Sequence, residues 1–94
     1  MTVESEIAQR NRAVDIEIAR LNKAVDAFAA VMKAKLAKKA NDGFHGWDKS
    51  VFRHAIVSDL INKVNRVEFD RAQAVDIANF AMMLWYQEQS KEGG

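Results

Sequence analysis

A short list of side chains in this chain could do chemistry. Asp76 and Asn79 stand inside the most apolar stretch, VDIANFAMMLWYQ at residues 75–87. Asp59 is the one acid in the run HAIVSDLINKV, residues 54–64. Carboxylates on neighbouring helices can share a hard cation such as Mg²⁺, provided that enough oxygen ligands converge on it. His45 and His54 are nine residues apart, which matches no usual metal-ligand spacing. GFHG, residues 43–46, lacks the Lys-Ser/Thr of a phosphate-cradling loop, and no nucleophile elbow is present. A second set is cationic and aromatic: Lys33, Lys35, Lys38 and Lys39 of KAKLAKK, then His45, Trp47 and Arg53. A ring beside cations suits a nucleotide, whose base stacks while its phosphates pair with lysine or arginine. The same lysines would also complement the negative end of a helix, and Trp47 could equally be a plug between helices.

A carboxylate in an apolar helix needs a partner, because burying it unpaired costs several kcal/mol. Asp76 is therefore expected to brace the fold. It would accept bonds from loop amides near Gly46, from the Trp47 indole N–H, or from Arg53 or His54. Asn79, one turn later, is expected to bond between helices. Met82 and Met83 read as core.

The elements that must position these groups are helices. Proline is absent, alanine is abundant, and the four glycines (Gly43, Gly46, Gly93, Gly94) lie outside the periodic apolar regions. In the first segment Ile7, Val14, Ile18, Leu21, Val25, Phe28 and Met32, with Asn11 filling the one gap, alternate spacings of three and four. That is a heptad seam, and it predicts a helix over about residues 3–40, roughly 55 Å long if unbroken. The remaining residues cannot cover such a helix along its length, so its first half is expected to pair with another copy or with a partner. Asn11 on the seam is suited to fixing register.

Asn41, Asp42 and Gly43 should end this helix, with Gly43 left-handed. Asp48 or Ser50 should cap the next, and Trp47 and Phe44 should fold back onto the helices. Helix 2 is expected over about 50–66, with Phe52, Ala55, Ile56, Leu60, Lys63 and Val64 on one face and Val67 continuing it. Helix 3 is expected over about 69–90 as the central element. One stripe is Phe69, Ala72, Asp76, Phe80 and Met83, and another is Ala74, Ile77, Ala81 and Leu84. A short connection makes helices 2 and 3 an antiparallel hairpin. The fold class is all-α: a long N-terminal helix with a heptad seam plus a C-terminal antiparallel helical hairpin, in an oligomeric helical bundle.

Composition narrows the setting. At 94 residues one domain is expected, and a lone domain of this size buries a modest share of its surface. A net charge of +1 argues against a general nucleic-acid binder. Without cysteine there is no disulfide framework or thiolate metal site. The N-terminus is polar and no apolar run approaches the ~20 residues of a spanning helix, so a cytoplasmic, membrane-free protein is expected.

GFHGW (residues 43–47), a following helix and AVDIANFAMMLW (residues 74–85) together resemble small phage proteins related to the all-α nucleoside triphosphate pyrophosphohydrolases, the MazG-like and dATP/dGTP diphosphohydrolase group. The resemblance spans roughly residues 33–86 and is strongest at Gly46–Trp47 and Asp76–Leu84. It implies catalysis by Mg²⁺ held on a Glu-Glu-x-x-Glu helix and a Glu-x-x-Asp pair. Here the first helix keeps only Asp59, Gln73 replaces the second motif's glutamate, and Asp76 matches its aspartate. Glu68 and Asp70 sit too far along to substitute. The metal site is degenerate, and no cofactor is expected unless Mg²⁺ serves a reduced enzyme. The leading expectation is a non-catalytic phage interaction protein that forms homo-oligomers and acts in the host cytoplasm. It would inhibit a host protein or sequester a nucleotide through Lys35, Lys38, Lys39, His45, Trp47 and Arg53. The alternative is a Mg²⁺-dependent (d)NTP pyrophosphohydrolase with a reduced site.

Overall fold

Thr2 opens the first helix. Its hydroxyl accepts from the Ser5 amide at 3.3 Å, satisfying one of the amides a helix start leaves over. Glu4 and Glu6 in the first turn and Lys38 and Lys39 in the last complement the helix dipole. The computed structural model describes residues 2–66 and 70–93, with side chains as far as Gln89 in the last segment. They form α1 (Val3–Asn41), a 3₁₀ turn (Ser50–Phe52), α2 (Arg53–Val64) and α3 (Arg71–Gly93), with no strand among them. The roles expected of Val67, Glu68 and Phe69 lie outside the described residues. Among the described residues no helix is long and apolar enough to cross a membrane.

The chain divides into two units, residues 1–30 and 31–94. The first is the N-terminal part of α1 alone, and no residue of α1 is buried. Its seam residues Ile7, Val14, Ile18, Leu21, Val25 and Phe28 are all exposed, from 39% at Phe28 to 62% at Val25. Asn11 is exposed with them.

The second unit holds the core. Residues 31–41 of α1 end in a Schellman motif. Phe44 N–H donates to the Lys39 carbonyl at 2.9 Å and Gly43 N–H to the Ala40 carbonyl at 3.0 Å. Gly43 takes φ +96°, the left-handed conformation that glycine adopts without strain. Gly46 is also left-handed, at φ +85°, and it is buried. A Cβ there would lie 2.7 Å from the Phe52 ring, so glycine is what lets that ring lie against the loop. Trp47 folds back as expected. Its ring meets Tyr86 edge-on at 5.0 Å, and its carbonyl accepts from Gln87 Nε2 at 2.8 Å.

Helix 2 starts differently from the expectation. A 3₁₀ turn capped by Lys49 precedes it, Phe52 occupies the cap position of α2, and neither Asp48 nor Ser50 supplies a side-chain cap. The hairpin is antiparallel: Arg53 at the start of α2 meets Glu88 late in α3, and Lys63 at its end meets Asp76 early in α3. Ile56, Phe80 and Met83 form the core, with Leu36, Trp47, Leu60, Met82 and Leu84 packed against it. Of the two stripes expected on α3, the one through Ala72, Asp76, Phe80 and Met83 is buried except at Ala72, which is exposed. In the other, Ala74, Ile77 and Leu84 are half-buried and Ala81 is exposed.

Candidate functional site

Asp76 is held by two ammonium groups. Lys35 from α1 pairs with its Oδ1, and Lys63 from α2 sits 3.0 Å from its Oδ2. The carboxylate is almost fully buried, whereas the two lysines remain about 30% exposed. Helical spacing explains the convergence. Lys63 lies one turn beyond Leu60 on the face of α2 that meets α3, and Asp76 lies one turn before Phe80. Burial works to raise the Asp76 carboxyl. The hydrogen bonds and charges of Lys35 and Lys63 outweigh it and hold the group below its ordinary value of 3.8. The brace expected of Asp76 is there, with partners different from those the sequence suggested. Lysines from two other helical segments reach it, and no bond from the Gly46 loop, Trp47, Arg53 or His54 does so.

Gln73 has a structural task of its own. Its side-chain oxygen accepts from Asp70 N–H at 3.1 Å, while Gln73 N–H donates to Asp70 Oδ1 at 2.9 Å. This reciprocal pair is a capping box that starts α3. Asp59 is exposed and borders a small cavity with His45, Gly46 and Phe52, away from the one that Asp76 lines. Asp59, Gln73 and Asp76 therefore do not converge. Among the described residues no group of three or more His, Cys, Asp or Glu could hold a metal ion. The donor set does not fit Mg²⁺: one carboxylate is neutralised by two lysines and the amide is committed to a cap.

The cationic and aromatic set is dispersed rather than gathered. Lys35 is on Asp76. Lys39 lies over the Phe80 ring at 5.2 Å and the Phe44 ring at 5.5 Å. Arg53 bonds Glu88 at 2.7 Å. Trp47 is half-buried against Tyr86, and Lys38 and His45 are exposed. Instead, Lys35 and Lys63 line a cavity of about 550 Å³ together with Arg66, Asp70, Ala72, Gln73 and Asp76. Sequence reasoning missed Lys63 and Arg66. The available signal was a lysine on the same face of helix 2 as Ile56 and Leu60.

Asn79 is 1% exposed, yet neither its Nδ2 nor its Oδ1 finds a partner among the described residues. The interhelical bond expected of it is not made. A buried amide left unbonded costs about 1–3 kcal/mol, while an apolar side chain of similar size carries no such penalty. Asn79→Leu should therefore stabilise the second unit by about 1 kcal/mol or more, read as a raised urea midpoint with an unchanged slope. A lowered midpoint would show that Asn79 is bonded in solution.

Comparison of the chain with family models, curated proteins and solved structures gives no match.

Proposed function

We propose that this chain is a non-catalytic helical interaction protein that associates with copies of itself through the seam from Ile7 to Phe28. One observation carries this reading. Six large apolar side chains repeat at heptad spacing on the first unit, and each is more than a third exposed. Apolar stripes of this extent mark association surfaces, and covering each side chain contributes about 1.5 kcal/mol or more. An isolated helix without tertiary packing is also marginal in water, so this segment gains stability from a partner helix.

Charge supports a second copy as that partner. The segment contains the acids Glu4, Glu6, Asp15, Glu17 and Asp26 and the bases Arg10, Arg12, Arg20 and Lys23. The segment is nearly neutral and carries both signs, so like copies do not repel, whereas a strongly acidic or basic partner gains nothing. The resemblance to small phage proteins would set such an oligomer in the host cytoplasm, as an inhibitor of a host protein or a trap for a nucleotide. The Mg²⁺-dependent pyrophosphohydrolase reading finds less support, since Asp76, Gln73 and Asp59 are engaged or separated as described.

Light scattering behind size exclusion tests the reading. The chain at tens of micromolar should elute with a mass that is a multiple of 10.6 kDa. Leu21→Asp with Val25→Asp should reduce that mass to a single copy. Both tryptophans, Trp47 and Trp85, lie in the second unit, so an unchanged fluorescence transition would show that dissociation is not unfolding. A parent chain that elutes as a monomer would overturn the proposal.

A further inference from the structure

We infer that the cavity between the end of α2 and the start of α3 binds an oxyanion of the phosphate type. Its volume, about 550 Å³, lies in the range of small-molecule sites. Three cations line it, Lys35, Lys63 and Arg66, against two carboxylates, Asp70 and Asp76. Among the described residues the wall thus carries one net positive charge.

Hydrogen bonding sharpens the point. Both carboxylates are engaged internally: Asp76 is ion-paired with two ammonium groups, and Asp70 accepts from the first turn of α3. Gln73 has its oxygen on the Asp70 amide. The acceptors are largely spent, while the donors are not. Each ammonium has three N–H groups, and each lysine has one carboxylate contact. Arg66 is exposed, offers five N–H groups, and makes no ion pair among the described residues. A wall rich in donors and poor in acceptors, with a positive balance, selects a ligand that is anionic and only accepts. A tetrahedral oxyanion meets that description, and a guanidinium can bind two of its oxygens at once. A metal cation would meet three like charges.

The site is independent of self-association through the first unit, so either proposal can fail alone. The test is a titration of the full chain, followed by amide and guanidinium NMR at constant ionic strength. The arms are inorganic phosphate, pyrophosphate, a nucleoside monophosphate, the same nucleoside without phosphate, and acetate. Saturable shifts at Ala72, Gln73 and the Arg66 side chain are expected with the three phosphate-bearing ligands and with neither of the others. A monophosphate that binds more tightly than inorganic phosphate would identify the natural ligand as a phosphorylated small molecule; equal affinities would point to free phosphate. Arg66→Gln should weaken binding about tenfold or more, because a charged bidentate contact is lost. Arg66 is exposed, so the variant should fold. Lys23→Gln, in the first unit, should leave affinity unchanged. Shifts that rise linearly without saturating, equal affinities in the Arg66 and Lys23 variants, or a response to the unphosphorylated nucleoside would each overturn the inference.

Discussion

Asp76→Asn is expected to lower the stability of the second unit by about 2 kcal/mol, which for a unit of this size is a fall of roughly 8–16 °C in melting temperature. The substitution keeps the shape and removes the charge. Two ammonium groups then face a neutral amide and each other, in a setting that is only about 30% open to water. Breaking a fully buried ion pair by removing one partner costs about 3–5 kcal/mol. The partial exposure of Lys35 and Lys63 lets water take up part of that cost. Lys35→Met alone should cost less, since Lys63 still pairs with the carboxylate. Adding Lys35→Met to Asp76→Asn should recover part of the loss, because one stranded cation is then gone. Thermal melts of the four chains, combined as a double-mutant cycle, measure the coupling. Additive losses would mean that the Lys35–Asp76 pair contributes nothing.

The same cluster sets a pH dependence. Lys35 and Lys63 hold the Asp76 carboxyl below its ordinary value of 3.8, against the opposing effect of burial. The unfolded chain therefore takes up a proton at this residue before the folded chain does. The contribution of the cluster is complete above about pH 4–5. It is lost as pH falls through 3.8 and then through the lower folded value. Stability measured from pH 6 down to pH 2 should fall more steeply in the parent chain than in Asp76→Asn.

Much of this was legible in the sequence. The strict three-four spacing from Ile7 to Met32 marked the long helix, and Asn41-Asp42-Gly43 marked its end, because a left-handed glycine after a periodic run has few other uses. The apolar VDIANFAMMLW stretch marked the central helix, and an acid inside it demanded a partner. The identity of that partner was not legible. Three residues separated by 28 and 13 positions converge only through helix packing, and nothing local in KAKLAKK distinguishes Lys35 from its neighbours. The capping box was hidden for a different reason. Gln73 was read against the metal-ligand pattern of the family that the sequence was expected to resemble, although Asp-x-x-Gln before an apolar run is itself a helix-start signal. The buried amide of Gln87 escaped notice because polarity on a helix usually means solvent.

Phe80→Ala is expected to be the most damaging single change, at about 3–5 kcal/mol. Phe80 is one of three side chains at the centre of the core, with Ile56 and Met83, and it is 7% exposed. A unit with so few fully buried apolar residues cannot collapse around the space left by a ring, so the lost transfer energy and the cavity both count. The ring also lies 5.2 Å from the Lys39 ammonium, a contact on the order of 0.5–1 kcal/mol. Small domains hold only about 5 kcal/mol or so in reserve, so the variant should be largely unfolded near 37 °C while the parent remains folded. Trp85→Ala removes a larger ring at a position 60% exposed, and should cost under about 1 kcal/mol. Urea unfolding followed by circular dichroism ranks the two variants without relying on tryptophan. Equal losses would mean that exposure along α3 does not report where the stability of this unit resides, and that Trp85 is covered in solution, as it would be in an assembly that uses this helix as well as the seam.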